Sequence, residues 1–107
     1  MTKLLTIITL TKNSEEYIAQ CILSLNKALE RCDRKKIEHV LIDANSKDNT
    51  KAIVKNLSPK TKIYSQKGDK GLYNAINYAI KEKVTTPYVT YLHSDDMIDE
   101  DYLNFML

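Results

Sequence analysis

The stretch EHVLID, residues 38–43, indicates the fold class. Its central residues Val40, Leu41 and Ile42 are apolar without alternation, which is typical of a parallel strand covered on both faces. A second run, LLTIITL at residues 4–10, is rich in β-branched residues and also predicts a strand. Strands of this kind are buried by helices on both sides of the sheet, so the sequence predicts an α/β domain.

Helical segments follow both strands. Asn13 and Glu16 resemble a capping box, and after them apolar residues recur at helical spacing to about residue 31. These apolar positions are Ile18, Ile22, Leu25 and Leu29. After the second strand, either Ser46 or Asp48 is predicted to cap a short helix that ends before Pro59.

The rest of the chain repeats the alternation. KIYS at residues 62–65 predicts a weak third strand, and YVTYLH at residues 88–93 predicts a fourth. Between them lies a predicted helix beginning near Gly71, with four apolar residues on one face. These are Leu72, Ile76, Ala79 and Ile80.

Regular alternation of strands and helices implies parallel strands joined by right-handed crossovers. We therefore predict a Rossmann-like, doubly wound and mostly parallel sheet of about four strands. Ligands of such sheets bind outside the carboxyl ends of the strands, at the switch point. If the spatial order is 3-2-1-4, that point lies between strands one and four, but the pattern alone does not determine the order.

Length and composition exclude several classes of protein. A chain of 107 residues predicts one domain, spanning residues 1–107. The net charge of +2 gives no reason to expect nucleic acid or an anionic membrane as a partner. No apolar run approaches the roughly 18 residues of a membrane span, and the N-terminus does not resemble a signal peptide. Cys21 and Cys32 are predicted to lie too far apart on one helix for a disulfide, which favours a reducing, cytoplasmic location.

Polar side chains follow three of the predicted strands. Thr11 follows the first, Asp43 ends the second, and Ser94, Asp95 and Asp96 follow the fourth. If the strand order is 3-2-1-4, these ends are neighbours at one edge of the sheet. Their convergence predicts a site more strongly than any one of them does.

The adjacent carboxylates Asp95 and Asp96 have two interpretations. One is a solvated turn with a helix cap, in which Asp is common. The other is a hard oxygen site for Mg²⁺ or Mn²⁺, completed by a substrate diphosphate. The position after the fourth strand favours the metal site.

Three other charged residues are candidates for ligand contact. Asp43 is either an ordinary loop carboxylate or an acceptor for a ribose hydroxyl or a base N–H. Asp69 and Lys70 lie in the loop QKGDKG, which holds both glycines of the chain but matches no phosphate-binding glycine motif. They belong either to a simple helix entry or beside the ligand, with Lys70 near a phosphate or base.

Four segments follow one another along the chain: TIITLTKN, LIDANSKDNT, GDKGLYNAINYAI and YLHSDD. In this order and spacing they resemble the N-terminal half of a family 2 glycosyltransferase with the GT-A fold. The resemblance covers essentially the whole chain. The sequence departs from the common family pattern at Ala44 and His93, so the resemblance does not specify the nucleotide.

The resemblance implies a nucleotide-diphospho-sugar donor, most simply of the UDP type, and a divalent metal, Mn or Mg. It implies that Thr11 lies beside the base and that Asp43 contacts it. Asp95 and Asp96 would form the DxD-like element, with Asp96 as the main metal ligand and Asp95 shared between nucleotide and metal.

The resemblance also implies a glycan or lipid-linked acceptor and a role in surface polysaccharide synthesis. Because it is limited to the donor-binding half, we expect the acceptor site and the general base to lie beyond Leu107, and the chain alone to be inactive. A full-length enzyme would be cytoplasmic or at the inner face of the membrane. The alternative is a truncated, non-catalytic module that binds nucleotide or metal. A receiver-like signalling domain is set aside, because its acidic pair would follow the first strand, where Thr11, Lys12 and Asn13 stand.

Overall fold

The computed structural model describes residues 3–30, 32, 34–66 and 72–94. Within these residues, parallel strands form one sheet in the order β3-β2-β1-β4. The strands are β1 Leu5–Thr11, β2 Ile37–Asp43, β3 Lys62–Ser65 and β4 Tyr88–Tyr91. The α/β prediction is confirmed, and the order that the pattern left open is 3-2-1-4.

Helices cover the sheet. They are α1 Ile18–Leu29, α2 Thr50–Leu57 and α3 Leu72–Tyr78, which continues as a π-helical turn over Ala79–Lys83. A 3₁₀ turn, Arg34–Lys36, leads into β2. The central strands β1 and β2 are buried almost throughout, whereas β3 and β4 are half-buried or exposed.

The two faces of the sheet carry separate apolar clusters. Odd-numbered strand residues such as Ile7 and Leu41 pack against α1 and α2. Even-numbered residues such as Ile8 and Val40 pack against Ala75 and Ala79 of α3 and the π-helical turn. Burying a Leu, Ile or Val side chain contributes about 1.5–3 kcal/mol. This two-sided burial explains why the centre of β2, residues 40–42, is apolar without alternation.

The predicted capping box at Asn13 is wrong. Helix α1 begins at Ile18, after a turn in which the carbonyl of Ser14 accepts hydrogen bonds from the Tyr17 and Ile18 amides. Asn13 adopts a left-handed conformation with φ of 47°, and its side-chain carbonyl accepts from the amide of Lys47, 2.8 Å away. A contact with a distant loop therefore takes the place of local capping.

Two details of the apolar pattern also differ from expectation. Ile80 is 42% exposed, because the helix widens into the π-helical turn at Ala79 and the 3.6-residue period no longer applies. Cys32 lies beyond the end of α1, not on it. Both cysteines are nevertheless thiols, Cys21 buried and Cys32 half-buried, as expected.

Candidate active site at the carboxyl edge of the sheet

The carboxyl ends of three neighbouring strands lie side by side. Thr11 pairs in register with Asp43, and Asp43 pairs with Ser65. On the other side of β1, the Leu92 amide after β4 donates to the Ile8 carbonyl, 2.9 Å away. The structure therefore places Thr11, Asp43 and the segment after β4 at one edge of the sheet, as the sequence predicted.

Asp43 is the centre of this edge. Its side chain is fully buried, and it accepts hydrogen bonds from the Thr11 hydroxyl at 2.7 Å and the Ser46 hydroxyl at 2.6 Å. The Ser46 amide donates to the second carboxylate oxygen at 2.8 Å. The carboxylate thus joins the end of β1 to the loop that follows β2.

Ser46 has a role that the sequence reasoning missed. It was predicted as a possible helix cap, but its hydroxyl donates to Asp43 and accepts from the Asn13 amide, 2.8 Å away. Asn45, just before it, has a φ of 56°, a left-handed conformation that Asn tolerates better than most residues. The signal was present in the polar run NSKDNT, but nothing in it distinguishes a cap from a contact with β1.

A second set of hydrogen bonds fixes the start of α2 against the loop after β1. Asp48 accepts from the Thr50 amide at 3.0 Å and from the Thr50 hydroxyl. It binds the first residue of α2 in this way, but the N-cap position predicted for it or Ser46 is occupied by Asn49. The other carboxylate oxygen of Asp48 accepts from the Glu15 amide at 3.1 Å. The Thr50 hydroxyl in turn accepts from the Ser14 amide at 2.8 Å. The side chains of Asp48 and Thr50 therefore hold the backbone of the loop after β1 against the start of α2.

These contacts predict a pH dependence of stability. Desolvation alone would raise the pKa of Asp48, but hydrogen bonds from the Thr50 hydroxyl and the Thr50 and Glu15 amides lower it below its ordinary value of 3.8. A carboxylate with a lowered folded-state pKa stabilises the fold above the unfolded pKa, and that contribution is lost as the pH falls through the folded one.

Asp48→Asn keeps a side-chain oxygen that can accept from the Thr50 amide but lacks the charge. The difference in unfolding free energy between the two chains, measured by urea titration, should be present at neutral pH. It should vanish at a pH below the folded-state pKa of Asp48. If the difference in unfolding free energy between the two chains stays constant over this pH range, the pKa of Asp48 is not lowered in the folded state.

The segment after β4 contacts the loop after β1. The hydroxyl oxygens of Ser14 and Ser94 lie 3.1 Å apart, and the Cys21 thiol lies 3.5 Å from the His93 carbonyl oxygen. The His93 side chain itself is exposed. Ser94, the residue immediately before the acidic pair, is thus anchored to the loop after β1.

A cavity of about 180 Å³ adjoins this edge on the α3 side of the sheet. Its walls are formed by Ile8, Leu10, Ile76, Tyr91, Leu92 and His93. The cavity is mostly apolar and opens beside the segment that leads to the acidic pair.

Four of the predicted site residues, Asp69, Lys70, Asp95 and Asp96, lie outside the described residues. Among the residues that are described, no group of three or more His, Cys, Asp or Glu side chains could hold a metal ion. The described part of the chain also contains no helix long and apolar enough to cross a membrane.

Comparison with known proteins agrees with this architecture. The sequence model of glycosyl transferase family 2 matches residues 6–107, so the chain belongs to that family. It is 37% identical over 112 residues to an uncharacterized glycosyltransferase of Haemophilus influenzae, covering 97% of this chain and 42% of the relative.

Solved structures show the same fold. The S. aureus protein TarS, residues 1–349 in complex with UDP-GlcNAc, superposes with a TM-score of 0.85 at 28% identity, covering 96% of this chain and 30% of that one. The mannosyltransferase PcManGT from Pyrobaculum calidifontis, in complex with GDP-Man and Mn²⁺, superposes with a TM-score of 0.76 at 24% identity, covering 92% and 30% of the two chains. The fold is that of a GT-A glycosyltransferase, and this chain spans less than half the length of each of these relatives.

Proposed function

We propose that residues 1–107 are the donor-binding half of a metal-dependent glycosyltransferase that transfers a sugar from a nucleotide-diphospho-sugar of the UDP type. The observation that carries this proposal is the edge at which the Thr11–Asp43 pair and the Ser94 segment meet. TarS, which has the same fold, is solved in complex with UDP and with UDP-GlcNAc. That likeness supports a UDP-type donor at the corresponding edge here.

Thr11 and Asp43 are proposed to recognise the base. An ionised carboxylate offers about four acceptor positions, and internal hydrogen bonds take three of them. Because Asp43 is fully buried, its last position reaches a base only if the loop at residues 44–46 shifts. Without such a shift, Asp43 acts by holding Thr11 and Ser46 in place.

Asp95 and Asp96 are proposed to hold Mn²⁺ or Mg²⁺, with Asp69 and Lys70 beside the donor. Carboxylate oxygens suit these hard cations, which commonly bind through one or two carboxylates plus substrate phosphates. When bound, such a metal neutralises charge on the departing nucleoside diphosphate. In this proposal the chain supplies the two carboxylates directly after Ser94, whose hydroxyl contacts that of Ser14.

The diphosphate requirement gives a direct test. In calorimetry with Mn²⁺, UDP should bind at least about tenfold more tightly than UMP, a difference of 1.4 kcal/mol, because only the diphosphate bridges base contacts and metal. The preference should shrink when Mn²⁺ is replaced by a chelator. Equal affinities for UDP and UMP in the presence of Mn²⁺ would refute the site, and parallel titrations with GDP and dTDP would identify the base.

For the whole protein we propose a glycan or lipid-linked acceptor, a role in surface polysaccharide synthesis, and a location in the cytoplasm or at the inner face of the membrane.

The chain by itself should bind donor without transferring sugar, because proximity and general-base catalysis both need an acceptor site. Transfer of sugar to an acceptor by the isolated chain would contradict the proposal that residues 1–107 form only the donor-binding half. A non-catalytic binding module is the competing proposal, and a source gene whose reading frame ends at Leu107 would favour it.

A further inference from the structure

The two residues that follow β4 are each attached to another element of the fold. The Leu92 amide donates to the Ile8 carbonyl at 2.9 Å, and the Leu92 side chain is buried in the core. The thiol of Cys21, on α1, lies 3.5 Å from the His93 carbonyl oxygen. These contacts fix the course of the chain up to Ser94.

Ser94 itself is held through its side chain, by Ser14. The two hydroxyl oxygens lie 3.1 Å apart, although the residues are 80 positions apart in the sequence. Ser94 is half-buried, whereas Ser14 is only 6% exposed. A hydrogen bond in such a partly dry site is electrostatically stronger than one in water, so the buried Ser14 orients the more exposed Ser94.

Ser14 is fixed from several directions. Its amide donates to the Thr50 hydroxyl at 2.8 Å, and its carbonyl accepts from two amides at the start of α1. Its hydroxyl oxygen also lies 3.3 Å from the amide nitrogen and from the carbonyl oxygen of Lys12. Because Ser14 is held in this way, its contact with Ser94 fixes that residue relative to the loop after β1.

We propose that Ser14 is a positioning residue for the metal-binding carboxylates. It acts through Ser94, the residue to which Asp95 and Asp96 are joined. Consecutive Cα atoms are 3.8 Å apart, so a shift of Ser94 displaces the residues that follow it, and Mg²⁺ in particular demands near-ideal octahedral geometry. This inference rests on the proposed donor site, and in this role Ser14 contacts neither the donor nor the metal.

The alternative is a role confined to the loop after β1, where the Ser14 hydroxyl contacts the backbone of Lys12. In that role, loss of the hydroxyl would lower the stability of the chain and weaken the binding of every nucleotide alike. Positioning of the carboxylates instead predicts a loss confined to the metal-dependent part of the affinity. The two roles therefore differ in their effect on the ratio of UDP to UMP affinity in Mn²⁺.

The test is calorimetry on the 107-residue chain with UDP and UMP, each in Mn²⁺ and in EDTA. Ser14→Ala and Ser94→Ala should each lower the affinity for UDP in Mn²⁺ about fivefold, the effect of one hydrogen bond, and leave the affinity for UMP in EDTA unchanged. Because the two serines act through one contact, the double variant should lose no more UDP affinity than Ser14→Ala alone. Ser94→Thr keeps a hydroxyl and should bind UDP like the unmutated chain.

The matched control is Ser58→Ala. Ser58 is buried, and its hydroxyl oxygen lies 2.7 Å from that of Thr61, so this variant also breaks a contact between two hydroxyl groups. Ser58 follows the last residue of α2, whereas Thr50 is the first, so the control lies at the opposite end of that helix from the proposed site. It should lower the stability measured by urea titration and leave the ratio of UDP to UMP affinity unchanged.

The outcomes distinguish this inference from the proposed function. If the unmutated chain shows no Mn²⁺-dependent preference for UDP over UMP, the donor site fails and the positioning role fails with it. If the unmutated chain shows that preference and Ser94→Ala retains it in full, only the positioning role is refuted. Equal losses for UDP in Mn²⁺ and UMP in EDTA, or additive losses in the double variant, would also refute it. Ser94→Ala leaves the buried Ser14 in place, so it decides the question if Ser14→Ala does not fold.

Discussion

Replacing Asp96 by Asn is expected to weaken Mn²⁺-dependent binding of UDP by about a hundredfold or more. The substitution removes both a ligand and a charge from a hard-cation site. Mutating a residue that only hydrogen-bonds to a metal ligand typically lowers metal affinity or activity 10- to 100-fold, so losing a direct ligand should cost at least as much. Asn retains the shape of Asp and caps a helix about as well, so the stability of the metal-free chain should not fall. It should stay the same or rise slightly as repulsion from Asp95 is relieved.

A matched control removes one negative charge elsewhere. Glu82, exposed in the π-helical turn, is suitable for a Glu82→Gln variant, which should bind UDP and Mn²⁺ like the unmutated chain. Calorimetry measures the affinity and urea titration the stability. If UDP binding with Mn²⁺ is indifferent to Asp96→Asn, the acidic pair is a structural turn and the metal assignment fails.

Replacing Asp43 by Ala is expected to destabilise the fold by about 3 kcal/mol, since each buried polar group left without its partner costs about 1–3 kcal/mol. The variant would leave the Thr11 hydroxyl and two groups of Ser46 without their acceptor. The loop between β2 and α2 would lose its tie to β1, so UDP binding should also be lost. Urea titration of the two chains measures the first effect directly.

Asp43→Asn separates the structural role from ligand contact. The side-chain carbonyl of Asn can accept from the Ser46 amide while its NH₂ group donates to the two hydroxyls, which rotate to accept. This variant should therefore retain most of the stability that Asp43→Ala loses. If it still loses UDP binding, the carboxylate meets the base; if it binds UDP normally, Asp43 serves only to hold Thr11 and Ser46. A fully stable Asp43→Ala variant would contradict the hydrogen-bonded arrangement itself.

Some features of the edge follow from local patterns and others do not. The end of β2 was predicted to the residue because the sequence of a buried strand becomes polar where the strand leaves the sheet. The end of the half-buried β3 was also predicted to the residue. The start of α1 was predicted wrongly. Asn13 and Glu16 satisfy a local capping pattern, but the side chain of Asn13 instead accepts a hydrogen bond from the distant amide of Lys47. Local rules fail where a side chain has a better partner elsewhere.

The sequence by itself determined the α/β class, the parallel strands and the candidate residues Thr11 and Asp43. It did so because the apolar periodicity that marks a strand or helix, and the face that it buries, can be read from consecutive residues. Only the tertiary structure decided the strand order, the burial of Asp43 beneath Thr11 and Ser46, and the contact that holds the segment after β4. These depend on residues that are distant in the chain, such as Ser14 and Ser94, and their proximity is set by how the strands pair.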